Sequence, residues 1–128
     1  MNKSTNLDNE LFYRDFILDL YKNPSNKGEL FDYDLKSEGY NDSCGDKVCF
    51  TLKLKEDKIE DIKFDGSGCA ISIAACSLLS DLVKGKSLEY VRKLKKETLF
   101  KLIKIPLSSV RVKCALLGLE TLQNAIKK

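Results

Sequence analysis

The chain has 128 residues, 43% hydrophobic and 32% charged, with a formal net charge of +3. That balance suits one folded domain with its own core, and it leaves too little chain for two. Five cysteines and no histidine exclude a Ser-His-Asp triad, a Cys-His dyad and every histidine-ligated metal site.

The opening MNKSTNLDNE is polar and lacks the apolar centre of a secretory signal. The longest apolar stretch, Cys69 to Val83, is broken by serines and is shorter than the roughly 20 residues that cross a bilayer. A cytoplasmic protein is therefore expected, in which thiols stay reduced. An odd cysteine count also rules out complete pairing within the chain. Residues 1–128 read as a single domain, with 1–9 as a flexible tail.

Leu7 to Lys22 has helical periodicity, with Phe12, Phe16 and Leu20 in one row and Tyr13, Ile17 and Tyr21 beside it. Asn23-Pro24 ends it, because proline disfavours helix in the residue before it, and NPSNKGEL follows as a polar loop. Tyr33 to Tyr40 is a weak strand. Lys47 to Lys55 is a clear one, since Val48, Phe50, Leu52 and Leu54 alternate with polar residues and Cys49. Glu56, Asp57 and Lys58 can turn the chain into a partner strand carrying Ile62 and Phe64. An antiparallel hairpin within a three-stranded sheet, buried on one face, is predicted.

Ala70 to Lys84 is apolar on nearly all sides and predicts a buried helix closed by Gly85. Ser87 can cap a short helix, and another spans about Glu97 to Ile103. After Pro106, Ser108 or Ser109 can cap a last helix carrying Val112, Leu116, Leu119, Leu122 and Ile126. Strands early and helices late give an α+β fold: a small three-stranded antiparallel sheet packed against several helices.

Between Lys84 and Lys104 lie Lys84, Lys86, Arg92, Lys93, Lys95, Lys96, Lys101 and Lys104, against only Glu89 and Glu97. The plain reading is the solvated side of short helices; the sharper one is a docking surface for an acidic protein. Nucleic acid is not expected as a partner, because no aromatic residues are interleaved to stack on bases.

The cysteines lack the close CxxC pairs of zinc ribbons. Cys76, inside the apolar helix, reads as a small hydrophobe, and Cys49 as a passive thiol facing away from the strand's apolar row. Cys44, Cys69 and Cys114 differ, because each is placed near the end of an element. Cys44 precedes a strand, Cys69 follows the Gly66-Ser67-Gly68 turn into the buried helix, and Cys114 lies near the start of the last helix. Amide donors at a helix N-terminus favour a thiolate, which is both nucleophile and metal ligand. Asp46 adds a hard oxygen beside Cys44. Three thiolates and a carboxylate would suit Zn²⁺ or the iron of a cluster, and the carboxylate, a poor ligand for a soft cluster, would keep it labile. Spacing alone leaves open whether these cysteines form a site or are buried hydrophobes.

SCGDKV, FDGSGCAISIAACSLL and VRVKCALLGLETL resemble, in order, the three cysteine motifs of the IscU/SufU/NifU-type iron–sulfur cluster scaffold family, and YRDFILDLYKNPSNKG is similar to its N-terminal segment. The resemblance runs from about Phe12 to the C-terminus. It implies an IscU/SufU-like α+β scaffold whose exposed loops carry a metal site, with Cys44, Asp46, Cys69 and Cys114 as ligands. It also implies a pyridoxal-phosphate cysteine desulfurase (SufS-, NifS- or IscS-like) as sulfur donor, with Cys44 the candidate persulfide acceptor. The main expectation is a scaffold that builds a transient [2Fe–2S] or [4Fe–4S] cluster and hands it to apo iron–sulfur proteins. The alternative is a SufU-like, zinc-dependent sulfurtransferase using the same residues; an interaction module with structural zinc is the third reading. Lys113 stands where IscU-like members carry histidine, as in SufU-like members, and could favour the neighbouring thiolate through its charge. The usual SufU insertion between the second and third cysteines is absent, and so is the chaperone-binding LPPVK segment of IscU-like members.

Overall fold

The computed structural model describes residues 14–42, 45–104 and 106–127. Helix α1 covers residues 14–22; the part of the predicted helix before residue 14 lies outside the described residues. Strands β1 (Leu35–Asn41), β2 (Asp46–Lys55) and β3 (Lys58–Ser67) follow, then helices α2 (Ala70–Val83), α3 (Leu88–Arg92), α4 (Lys96–Ile103) and α5 (Ser109–Ala125). The strands form an antiparallel meander in the order β1-β2-β3. The predicted α+β architecture is the one observed.

The sheet packs one face against helices, as the alternation requires. Val48, Phe50 and Leu52 of β2 are fully buried, and so are Ile59, Ile62 and Phe64 of β3. Ile59 and Ile62 are three residues apart, so in a regular strand they would face opposite ways. A register shift at Lys53/Leu54 inserts an extra residue into β3 and returns both to the core. This is why the strand starts at Lys58, well before the alternation at Ile62 becomes readable. The hairpin turns on Glu56 and Asp57, both with positive φ, the backbone of a two-residue turn matched to strand twist.

The outer face is not uniformly solvated. Thr51 is 1% exposed, against the expectation for the polar side of β2. The NPSNKGEL segment accounts for this: Leu30 N–H donates to Thr51 Oγ1, and Gly28 and Asn26 bond the backbone of Phe64. The same segment is tied to α2, with Ser25 N–H donating to Ser77 Oγ and Asn26 Nδ2 to Ser80 Oγ and Asp81.

Helix α5 packs on both α2 and the sheet. It therefore buries two sides, with Cys114, Leu117, Gly118 and Thr121 hidden as well as Leu119 and Leu122, while Val112 and Leu116 of the predicted row are only partly covered. Two glycines allow the close approach. A Cβ at Gly39 would lie 2.0 Å from Thr121 Oγ1, and one at Gly118 would lie 2.9 Å from Cys76 Sγ. Ser87 and Ser108 cap α3 and α5, accepting from Tyr90 N–H and Arg111 N–H, and Gly85 follows α2 with φ +86°. All eight basic residues between Lys84 and Lys104 are exposed. Arg92 and Lys93 pair with Glu89, and Lys84 with Asp61, as expected of solvated helix faces. Among the described residues no helix is long and apolar enough to cross a membrane.

Candidate metal centre

Strand β2 begins at Asp46, helix α2 is entered through Cys69, and α5 passes behind both. These three elements meet at one end of the sheet. Asp46, Cys69 and Cys114 each offer a donor atom there, and all three atoms lie within 4.8 Å of one another. Two thiolates about 2.3 Å from a shared tetrahedral zinc stand about 3.8 Å apart, so the side chains need to close by no more than about 1 Å to share an ion. Sulfur and carboxylate oxygen, with no histidine, are donors that zinc or iron accepts.

Local chain geometry explains the convergence. Asp46 pairs with Asn41 where β1 turns into β2, and Lys47 pairs with Ser67 where β3 ends. The start of β2 is thereby held beside the turn that leads into α2. Gly66 has φ +146°, and a Cβ there would lie 2.0 Å from the Lys47 carbonyl oxygen, so this crossing requires glycine. At Gly68 a Cβ would lie 2.6 Å from Asp46 Oδ1; the missing side chain is the space the carboxylate occupies.

Cys69 is the residue preceding the first turn of α2, and its own side chain does not cap the helix. Asp46 does so from the neighbouring strand, since Cys69 N–H donates to Asp46 Oδ1 at 3.0 Å. A carboxylate at a helix N-terminus meets unpaired amides and the positive end of the helix dipole. The Cys69 thiol lies 3.7 Å from Asp46 Oδ2. Asp46 and Cys114 are each 2% exposed, while Cys69 is half-buried. Among the described residues the donors are thus less open than exposed loops would make them: Cys114 is in the second turn of α5, turned inward against α2 and the sheet.

Cys44 lies outside the described residues. Lys113 is exposed on α5 and lines an open cleft of about 430 Å³ with Tyr40, Asp42 and Glu120. Cys49 is on the outer face of β2, where burial pushes its thiol up and nearby Lys36 opposes the rise. Cys76 is fully buried against Gly118, and burial pushes its thiol far up, the inert state expected of a core cysteine. No disulfide forms among Cys49, Cys69, Cys76 and Cys114.

One residue of the site escaped the sequence reading. Ser72, in the first turn of α2, is 1% exposed and its hydroxyl donates to Asp46 Oδ2. It also lies 3.6 Å from Cys69 Sγ and 3.2 Å from the Cys114 carbonyl oxygen. The available signal was its position three residues after Cys69, which places it on the same side of the first helical turn as that cysteine.

The NifU-like N terminal domain family matches residues 12–128. The chain belongs to the IscU/SufU/NifU N-terminal family. Among relatives of this NifU-type chain, the zinc-dependent sulfurtransferase SufU of Bacillus subtilis is 35% identical and is matched over 100% of this chain and 97% of its own length. That alignment spans 148 positions, more than the 128 residues present here, so the relative carries additional residues. The iron-sulfur cluster assembly scaffold protein IscU of Aquifex aeolicus is 38% identical over 90% of this chain and 74% of its own. A crystal structure from Fervidobacterium islandicum, of a protein assigned as an iron-sulfur cluster assembly scaffold for the SUF system, superposes with a TM-score of 0.73 at 30% identity. It covers 87% of this NifU-type chain and 93% of that one. The fold is that of the family, whose members include iron-sulfur cluster assembly scaffolds and a zinc-dependent sulfurtransferase.

Proposed function

We propose that the protein is a zinc-dependent sulfurtransferase that accepts persulfide sulfur from a pyridoxal-phosphate cysteine desulfurase. The carrying observation is the compact, largely buried donor set of Asp46, Cys69 and Cys114, to which the proposal adds Cys44 as the fourth ligand. The end-to-end match to the Bacillus subtilis sulfurtransferase and lysine rather than histidine at position 113 support this reading over the cluster-scaffold reading that the sequence first favoured. Zinc, when bound, would hold its thiolates deprotonated at neutral pH.

The chain's own residues divide the remaining work. Cys44 is the acceptor: its thiolate attacks the terminal sulfur of the desulfurase persulfide. The sulfur–sulfur bond breaks, the donor cysteine leaves as thiolate, and the persulfide proton stays on the transferred sulfur. Cys69 stays anchored at the entry to α2 and Cys114 within α5, and Asp46 keeps α2 capped while Cys44 reacts. Lys113, exposed next to Cys114, adds positive charge that would favour the thiolate form of its neighbour. Apo iron–sulfur proteins, or a scaffold serving them, would then consume the sulfur.

The second reading, a scaffold that receives iron and builds a cluster on the same four residues, draws on a Thermotoga maritima relative. This relative, an iron-sulfur cluster assembly scaffold protein IscU, is 34% identical over 93% of this chain and 95% of its own. Anaerobic incubation with iron, cysteine and a desulfurase separates the two. The sulfurtransferase reading expects retained zinc and a mass increase of one sulfur on Cys44; loss of zinc with visible cluster absorption establishes the scaffold.

A further inference from the structure

Buried hydroxyls in helices usually satisfy themselves on their own helix. Ser80 Oγ donates to the Ser77 carbonyl oxygen and Thr121 Oγ1 to the Leu117 carbonyl oxygen, both at 2.8 Å. Ser72 does not follow that pattern. At the third position of α2 no helical carbonyl lies four residues behind it, and its side chain turns out of the helix toward the site. There it meets all three donor residues: the Asp46 carboxylate, the Cys69 sulfur and the Cys114 backbone carbonyl. A hydroxyl has one proton, and the close contact to Asp46 takes it.

The consequence for Asp46 is geometric. Oδ1 is fixed by the Cys69 amide at 3.0 Å, and Oδ2 by Ser72. With both oxygens held, the carboxylate plane cannot rotate, and Oδ2 stays 3.7 Å from Cys69 Sγ. Removing the Ser72 hydroxyl takes away the donor that fixes Oδ2. Hydrogen bonds of this kind, from a neighbour to a ligating carboxylate, orient ligands before the metal arrives.

We infer that Ser72 is a positioning residue for the metal centre, aiming the Asp46 carboxylate at the point it shares with Cys69 and Cys114. The inference rests on the metal-binding reading above and adds a residue to it. Ser72 does not touch the ion; it acts through Asp46. Its effect should vanish when Asp46 is gone, which a purely structural serine would not show.

The test is a double-mutant cycle on the full chain with Ser72→Ala, Asp46→Ala and the double variant. Zinc affinity is read by competition with a chromophoric chelator, and coordination by the visible bands of the cobalt-substituted protein. Ser72→Ala is expected to weaken zinc by about 10- to 100-fold, with sulfur-to-cobalt bands retained and the d–d envelope shifted toward that of Asp46→Ala. On the Asp46→Ala background the serine change should cost nothing further. Unchanged affinity in Ser72→Ala, or equal losses on both backgrounds, would overturn the inference while leaving the metal site standing. Absence of sulfur-to-cobalt bands in the wild type would instead remove the metal reading, and this inference with it.

Discussion

Replacing Cys114 by serine is expected to raise the Kd for zinc by somewhat over a hundredfold while the domain stays folded. Zinc binding to four-ligand protein sites contributes on the order of 10–16 kcal/mol, so one ligand of four represents about 3 kcal/mol, or roughly two powers of ten. The loss should not be relieved by water, because Cys114 is 2% exposed and sits behind the other donors. Serine fits the same volume, and a hydroxyl at this helix position can bond the carbonyl four residues back, at Val110. Chelator competition gives the Kd, and circular dichroism of the metal-free variant checks the fold. Cys76→Ser, in the same layer but without a donor partner, is the control and should leave zinc affinity unchanged.

The largest effect on stability is expected at Gly66. Gly66→Ala places a methyl carbon 2.0 Å from the Lys47 carbonyl oxygen and 3.1 Å from Val48 Cα, at φ +146°. Both obstacles are backbone atoms of the paired strand, so no side chain can swing aside. Strain and overlap together should cost about 3 kcal/mol or more, lowering Tm by roughly 10 °C for a domain of this size. Denaturant unfolding of the metal-free protein reads this directly. Gly85, also at positive φ, has nothing within 4 Å of its missing side chain, so alanine there carries the backbone strain alone and should cost less.

How far the chain could be read in advance depended on whether a residue's chemistry or its surroundings made it notable. Cys69, Cys114 and Asp46 could be named beforehand because thiols and a carboxylate near a glycine turn are unusual, and the ordered motifs tied them together. Ser72 has as much contact with the centre, yet serine is common in helices, and only its spacing of three from Cys69 sets it apart from Ser77 and Ser80. Only the fold shows that its hydroxyl looks outward. Strand β2 was legible because its alternation is regular, whereas the start of β3 was hidden by a bulge that breaks the two-residue period at Glu60. Thr51 read as solvent-facing because its cover comes from Leu30, 21 residues earlier in the chain. The depth of Cys114 was likewise invisible, since α5 buries two faces and a single-face pattern cannot represent that.

The proposed function requires sulfur from separate elements to share one ion with Asp46, and zinc-edge X-ray absorption of the zinc-loaded protein tests this most directly. A first shell of three sulfurs at about 2.3 Å and one oxygen at about 2.0 Å is expected, falling to two sulfurs in Cys114→Ser. A shell of oxygen or nitrogen alone, or a sulfur count unchanged in that variant, would contradict it.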